Sequence, residues 1–359
     1  MDFKINYDLE YTFESISFLQ CLATDNSPKK LMEELHEKYN IPLDELEPMF
    51  SNLIEIYEFV KENMKISNDK IIYFFKNLEG INECFGSIIL FNYNDGTFFT
   101  DLNVFNAMDE KAKKACFVNS VISTVELRDS DNNKLIITTD EDFFQYIDSH
   151  DFLTKENKYD FLHIYYNLDN IFKEVLDMIF SISYLIKEKE SLIHQEVKIF
   201  MDNITKASSA DMSSFIQNSI NVNVANLKFI NIYPHLFPCN AAFFYGMYPN
   251  ERIGIGILFL YIKNIIDRYI SMDTEALNVL KALSDKSKLE IVKALKTSSL
   301  YGSQIADMLG LTNATVSYHM SALAALDIVI LEKDNNRVYY CLNHKKLKNY
   351  FALLEKLLL

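Results

Sequence analysis

The sequence predicts a mainly α-helical protein with small β elements, in two parts. A large helical N-terminal domain with a small β-hairpin or sheet (1–272) precedes a C-terminal domain (273–359) of helices, a tight turn and a β-hairpin. Three observations lead there. Apolar residues recur at helical spacing over most of the chain, whereas alternating β-branched runs are confined to 221–258 and 329–342. Near the C-terminus, helical spacing through Leu280, Leu283, Leu289, Val292 and Leu295 is followed by two short helical patterns, 303–309 and 313–326. Gly310-Leu311-Thr312 joins them, which is a helix, a glycine-containing turn and a second helix. Charge is also segregated: from Ala276 onward 11 basic residues face 7 acidic ones, +4, while the preceding 275 residues carry −19.

Taken in order, the N-terminal part starts with a short extended segment and then turns helical. Ser27-Pro28 puts a capping residue before a proline at the first helical position, so a helix runs to about Tyr39, and Ile41-Pro42 ends it. The 44–64 stretch carries Leu46, Phe50, Leu53, Ile54, Tyr57 and Val60 on one stripe. Further helices are expected at 69–78, 109–124 and 139–149, and the segment 88–100 around Asn94-Asp95-Gly96 is a hairpin or a loop. From 158 to 204 the helical period continues without Gly or Pro, as one helix or two with a bend. Residues 221–232 alternate as a strand does. The runs 241–247 and 252–258 flank Tyr248-Pro249-Asn250-Glu251, which reads as a β-hairpin. Gly254 and Gly256 have neither a third glycine nor a βαβ setting, so they mark close packing rather than a dinucleotide loop. Helical spacing resumes at 261–269, and Asp273 or Thr274 is expected to cap the first helix of the C-terminal part.

Several function classes find no support. The five cysteines are scattered, odd in number and without CxxC spacing, so neither a disulfide framework nor a zinc site is expected, and a reducing cytoplasm fits. No HExxH or GxSxG motif occurs, and neither His163 nor His194 has a second ligand three or four residues further on. No enzyme, catalytic residue, cofactor or metal is therefore expected. The longest apolar runs, 176–186 and 253–262, are too short to span a bilayer, so no membrane partner is expected.

At the C-terminus, the runs 329–333 and 338–342 flank Asp334-Asn335-Asn336-Arg337 as a β-hairpin. Four segments then share a pattern: Ala282-Leu283-Ser284-Asp285; Ile305-Ala306-Asp307-Met308-Leu309-Gly310-Leu311; Thr315-Val316-Ser317-Tyr318-His319-Met320; and Arg337-Val338-Tyr339-Tyr340. On these residues roughly the last quarter of the chain resembles the ArsR-type winged helix-turn-helix family of bacterial transcriptional regulators. The resemblance implies sequence-specific binding to double-stranded DNA, and a homodimer formed by the terminal helices of the module. The +4 charge of this part suits a face presented to phosphate. The resemblance also prompts a test for the family's metal sites. Tyr301 and Ser303 stand where one site has two cysteines, and neither is a soft thiolate. For the site on the C-terminal helix only His344 and Glu355 are at hand. A metal sensor is not expected.

The second helix of the pair is the expected recognition helix. Thr312 is a good N-cap. Val316, Met320 and Leu323 share one face and should pack inward. That leaves Asn313, Ala314, Thr315, Ser317, Tyr318 and His319, together with Thr312, as DNA-contact candidates. Asn can pair with adenine, and Ser or Thr can serve phosphates or base edges. In the family a basic residue often stands at the position of Tyr318. Lys333, Asn335, Asn336 and Arg337 are the candidates at the hairpin tip, Arg337 being one of only four arginines beside 31 lysines. The tail 345–359 carries Leu347, Tyr350, Phe351, Leu354, Leu357 and Leu358 on a wide apolar stripe, suited to dimerisation or to packing on the larger domain. The resulting expectation is a DNA-binding transcriptional regulator, a repressor, whose acidic N-terminal domain binds a small-molecule or protein effector. The alternative is a protein-interaction scaffold in which both parts bind proteins.

Overall fold

The computed structural model describes residues 2–358 apart from 80, 82, 93–95, 127–136, 138, 208–215, 217–221, 224–228, 246–251, 270–271 and 335–336. The chain opens with strand β1 (Asp2–Ile5) and helix α1 (Tyr11–Ala23). Helix α2 (Pro28–Tyr39) starts where expected: Ser27 Oγ accepts the Lys30 N–H at 3.1 Å, and Asn40 ends the helix in the left-handed conformation. Helix α3 (Leu43–Asn63) buries Leu46, Phe50, Leu53, Ile56, Tyr57 and Val60. Helices α4 (Asn68–Phe75) and α5 (Phe85–Leu90) follow, then the short antiparallel pair β2 (Phe91–Asn92) and β3 (Thr97–Phe98). The 88–100 segment is thus the end of a helix plus a hairpin, and Asn94 and Asp95 lie outside the described residues.

Next come α6 (Leu102–Asn106), α7 (Glu110–Glu126) and α8 (Asp140–Ser149). Thr139 and Asp142 form a reciprocal capping box at the start of α8, each side chain accepting the other's backbone N–H at 3.1 and 2.9 Å. The periodic region 158–204 divides into three helices rather than one or two: α9 (Lys155–Tyr166), α10 (Leu168–Glu188) and α11 (Glu190–Ala207). A single helix over that region would be about 70 Å long, too long to fold back on its own core. The breaks are local. Asn167 closes α9 through its backbone and side-chain amides, both donating to His163 O at 3.2 and 2.9 Å, and Lys189 N–H turns back to Ile186 O at 3.0 Å. Freed at both ends, α10 buries Ile171, Phe172, Val175, Ile179, Ile182 and Ile186 and packs on α1, α3 and α5.

The expected strand at 221–232 is represented by β4 (Val222–Asn223) and the start of β5 (Phe229–His235), with 224–228 outside the described residues. Strands β6 (Ala242–Tyr245) and β7 (Arg252–Gly256) form the expected antiparallel pair, whose turn residues also lie outside the description. This hairpin is half of a four-stranded sheet ordered β1-β5-β7-β6, in which β1 and β7 both run parallel to β5. The glycines of β7 do mark close approach. A Cβ on Gly256 would come within 2.3 Å of the Cys239 backbone, and one on Gly254 within 2.6 Å of the His235 and Phe243 rings.

Helix α12 (Phe259–Tyr269) leads to α13 (Met272–Ser284). Because α13 already begins at Met272, Asp273 and Thr274 fall inside its first turn and not at the cap. The remaining elements are α14 (Lys286–Leu295), α15 (Gly302–Leu309), α16 (Asn313–Ala324), β8 (Val329–Asp334), β9 (Arg337–Leu342) and α17 (His344–Leu358). Buried apolar residues form two clusters, one drawn from Leu9 through Ile265 and one from Val279 through Tyr350. Strand β8 touches both: Val329 belongs to the second cluster, whereas Leu331 packs against the first. Its outer edge pairs in parallel with β4, Val222 opposite Leu331 and Asn223 opposite Glu332.

Helix α1 is fastened to the four-stranded sheet by a buried polar network. Glu14, with no exposed surface, accepts from His235 Nδ1 at 2.8 Å and from the backbone N–H groups of Leu236 and Phe237, each at 3.1 Å. His235 Nε2 meets the Tyr245 hydroxyl at 3.1 Å, that hydroxyl donates to Glu10, and Arg252 Nη1 donates to Glu10 at 2.5 Å. Burial, with the Glu10 carboxylate beside it, holds the Tyr245 phenol well above the tyrosine range, so it stays a donor. A Glu14→Ala change leaves three buried donors without an acceptor. At about 1–3 kcal/mol for each buried donor left unsatisfied, it is expected to cost at least about 3 kcal/mol. Urea unfolding followed by circular dichroism measures it; a loss below about 1 kcal/mol would mean that the network does not hold α1 in place.

Candidate nucleic-acid interface

Three local devices shape the surface built by α14, α15 and α16. Asp285 caps α14, its Oδ1 accepting the Lys288 N–H at 2.9 Å. That hydrogen bond, helped by the Lys288 ammonium and by His319, holds the Asp285 carboxyl below the usual aspartate range. Gly310 ends α15 at φ +63°, a left-handed conformation that suits glycine, and lets the Leu311 N–H reach back to Ala306 O at 2.9 Å. Thr312 then caps α16, its Oγ1 accepting the Thr315 N–H at 3.1 Å. Behind α16, Val316, Met320 and Leu323 are buried with Ile305 and Ala306 of α15.

Of the residues expected to contact DNA, Thr312, Ala314 and Tyr318 are exposed, and Tyr318 keeps 69% of its surface open. Asn313, Thr315 and Ser317 are half-buried; Thr315 Oγ1 is hydrogen-bonded to Thr312 Oγ1 at 2.8 Å, and Asn313 Oδ1 is turned inward with no donor among the described residues. His319 is a correction. It retains only 8% exposure, so it belongs to the packed face rather than the open one. The spacing carries the reason: His319 falls three residues after Val316 and four before Leu323, on the same stripe. Its ring lies against Tyr318, and its Nδ1 has no hydrogen-bond partner among the described residues. A residue outside the expected set also enters the site. The Lys288 ammonium, on α14, lies 5.9 Å from the centre of the Tyr318 ring.

The hairpin ladder runs one pair further than expected, with Lys333 opposite Val338 and Asp334 opposite Arg337. Asn335 and Asn336 lie outside the described residues. Leu300 adds an antiparallel bridge to Tyr340, exchanging backbone hydrogen bonds of 3.1 and 2.7 Å. Tyr301 and Ser303, at the positions where the resemblance places a pair of cysteines, keep only 6% and 2% exposure. On α17, Tyr350 is buried and its hydroxyl donates to Leu326 O at 2.8 Å, while Phe351 and Leu358 stay 55% and 71% exposed. Leu277 and Leu280 of α13, which packs against α17, are 49% and 44% exposed.

A capped second helix after a left-handed glycine turn, backed by three helices and followed by a β-hairpin, defines a DNA-binding helix-turn-helix protein, a transcriptional regulator. The family model described as bacterial regulatory protein, arsR family, matches residues 285–330. The chain is 36% identical over 70 residues to the arsenical resistance operon repressor of Staphylococcus aureus, a stretch covering 20% of this chain and 67% of that protein. It is 34% identical over 71 residues to the corresponding repressor of Staphylococcus xylosus, covering 20% of this chain and 68% of that one. It is also 36% identical over 74 residues to the cadmium resistance transcriptional regulatory protein CadC of Listeria innocua, covering 20% and 62%. The chain belongs to the arsR family of bacterial regulatory proteins. No solved structure matches it significantly.

Three tests follow from this geometry. Thr312→Ala should cost about 1 kcal/mol, the worth of an N-cap. His319→Ala should cost more than Tyr318→Ala, because only the first leaves a cavity; equal losses in urea unfolding would return His319 to the open face. Asp285 has a lowered carboxyl pKa, so its stabilising contribution is present above the ordinary aspartate range and is lost as pH falls through the lowered value. Asp285→Asn should flatten the acid limb of the melting-temperature profile below about pH 4; an unchanged limb would contradict it.

Proposed function

We propose that this chain is a sequence-specific repressor that binds operator DNA as a homodimer, and that its acidic N-terminal domain (1–272) responds to a small-molecule or protein effector. The observation that carries the reading is α16: a capped helix with its apolar face buried and Ala314, Tyr318 and Thr312 turned outward. Dimerisation is supported by the exposed Leu277, Leu280, Phe351 and Leu358 on two helices that pack together. Two such modules, their recognition helices about one DNA turn apart, suit a palindromic site. Coupling to the N-terminal domain is supported by β4 on the edge of β8 and by Leu331 in the larger core, with Lys263 of α12 lying 4.0 Å from Asp327 beside the hairpin. A coupling of about 1–3 kcal/mol between the two parts is enough for regulation. The chemistry proceeds without an enzymatic step.

The relatives' names place two of them in arsenical resistance and one in cadmium resistance. Here Tyr301 and Ser303 stand in place of thiolates, which supports an effector other than a soft metal bound at those positions.

DNA selected from random genomic fragments, measured by fluorescence anisotropy at several salt concentrations, tests the reading. Tight binding with a steep salt slope is expected, weakened at least ten-fold by the pair Asn313→Ala and Ser317→Ala, since a base contact is worth about 1–3 kcal/mol. Selected DNA that is never enriched above non-specific binding would point instead to a protein scaffold. Arsenite and cadmium should leave the affinity unchanged; release by either would overturn the metal-free reading. Phe351→Glu should convert the dimer to monomer in light scattering, and a dimer that survives it would place the interface elsewhere.

A further inference from the structure

Tyr318 is the most exposed aromatic side chain of the DNA-binding module and projects from the middle of α16. A tyrosine with so much free surface normally samples several rotamers. Here two groups from behind limit it. The His319 ring meets it edge-on at 5.6 Å, and the Lys288 ammonium stands 5.9 Å from its centroid, within reach of the ring's negative face. Lys288 is itself held. Its Nζ lies 3.7 Å from Asp285 Oδ2, its backbone N–H is the one Asp285 caps, and its side chain is only 13% exposed. An ammonium that already faces a carboxylate, on a side chain packed to that extent, is poorly placed to neutralise a phosphate.

We propose that Lys288 is a positioning residue for base readout: it fixes the Tyr318 ring, which together with Ala314 reads a thymine through its 5-methyl group. Ala314 lies one turn before Tyr318 on the same face and is exposed, so the two present a contiguous apolar patch in an otherwise polar surface. In the major groove the thymine methyl is the apolar feature that such a patch recognises. The inference rests on α16 being the base-reading helix.

The test uses the full chain and its selected DNA, with each thymine of the half-site replaced in turn by deoxyuridine, which removes only the methyl. In the wild type one replacement per half-site should weaken binding about four-fold, the worth of one buried methyl group. Tyr318→Ala should abolish that sensitivity. Lys288→Met, which keeps the stem and removes the charge, should reduce it while leaving the slope of affinity against salt unchanged. Lys288→Arg should restore it, which guards against a folding defect in the methionine variant. A slope shallower by about 0.9 in Lys288→Met would make Lys288 a phosphate contact and overturn the assignment. A wild type indifferent to every deoxyuridine would overturn it too. Failure to select any DNA removes the base-reading helix itself, an outcome distinct from both.

Discussion

Strand β8 is the constraint on which the two halves of the molecule depend. A strand whose edge is left open presents unpaired N–H and C=O groups, and β8 has neither edge open where it meets β4 and β9. Its backbone is shared between the hairpin and the N-terminal part, and its side chains are shared between two cores, Val329 in one and Leu331 against the other. The hairpin that follows the recognition helix therefore does not hang from its own module alone. A displacement of the N-terminal part that moves β4 must either break a ladder or carry the hairpin with it. Close packing in both cores favours discrete arrangements over gradual ones.

The same economy of buried polar groups governs the larger part. Glu14 can sit without solvent exposure because three donors converge on it, and two of these are backbone N–H groups at the end of β5. That arrangement locks α1 onto the sheet, and α1 in turn packs on α10 through the buried contact between Ser15 and Ser183, 2.8 Å apart. The glycines of β7 complete it, since a side chain at Gly254 would collide with the His235 ring. In the DNA-binding module the corresponding work is done by caps: Asp285, Gly310 and Thr312 set where α14 begins, α15 ends and α16 starts. The first device holds distant segments together; the second aims a surface.

Much of this was legible in the sequence wherever the cause is local. Ser27-Pro28, Gly310 and Thr312 act within four residues, and the structure places helix ends at each of them. The chemistry of His319 suggests an open position, but its spacing from Val316 and Leu323 puts it on the apolar stripe, and there position outweighs chemistry. The 158–204 periodicity implies fewer helices than the three that form, because Asn167 and Lys189 end helices without Gly or Pro, through bonds to backbone carbonyls that no residue pattern records.

By itself the sequence determined the helical class, the turn between α15 and α16, the membership in a family of DNA-binding regulators and the absence of thiolates at Tyr301 and Ser303, because each is written in neighbouring residues. Only the tertiary structure decided that β1 pairs with β5, Asp2 opposite Phe229, that β4 covers the edge of β8, and that Lys288 lies over Tyr318. Those pairings join residues far apart in the chain. Their free energy comes from closing long loops against burial and hydrogen bonding in the whole fold, which no local window of residues records.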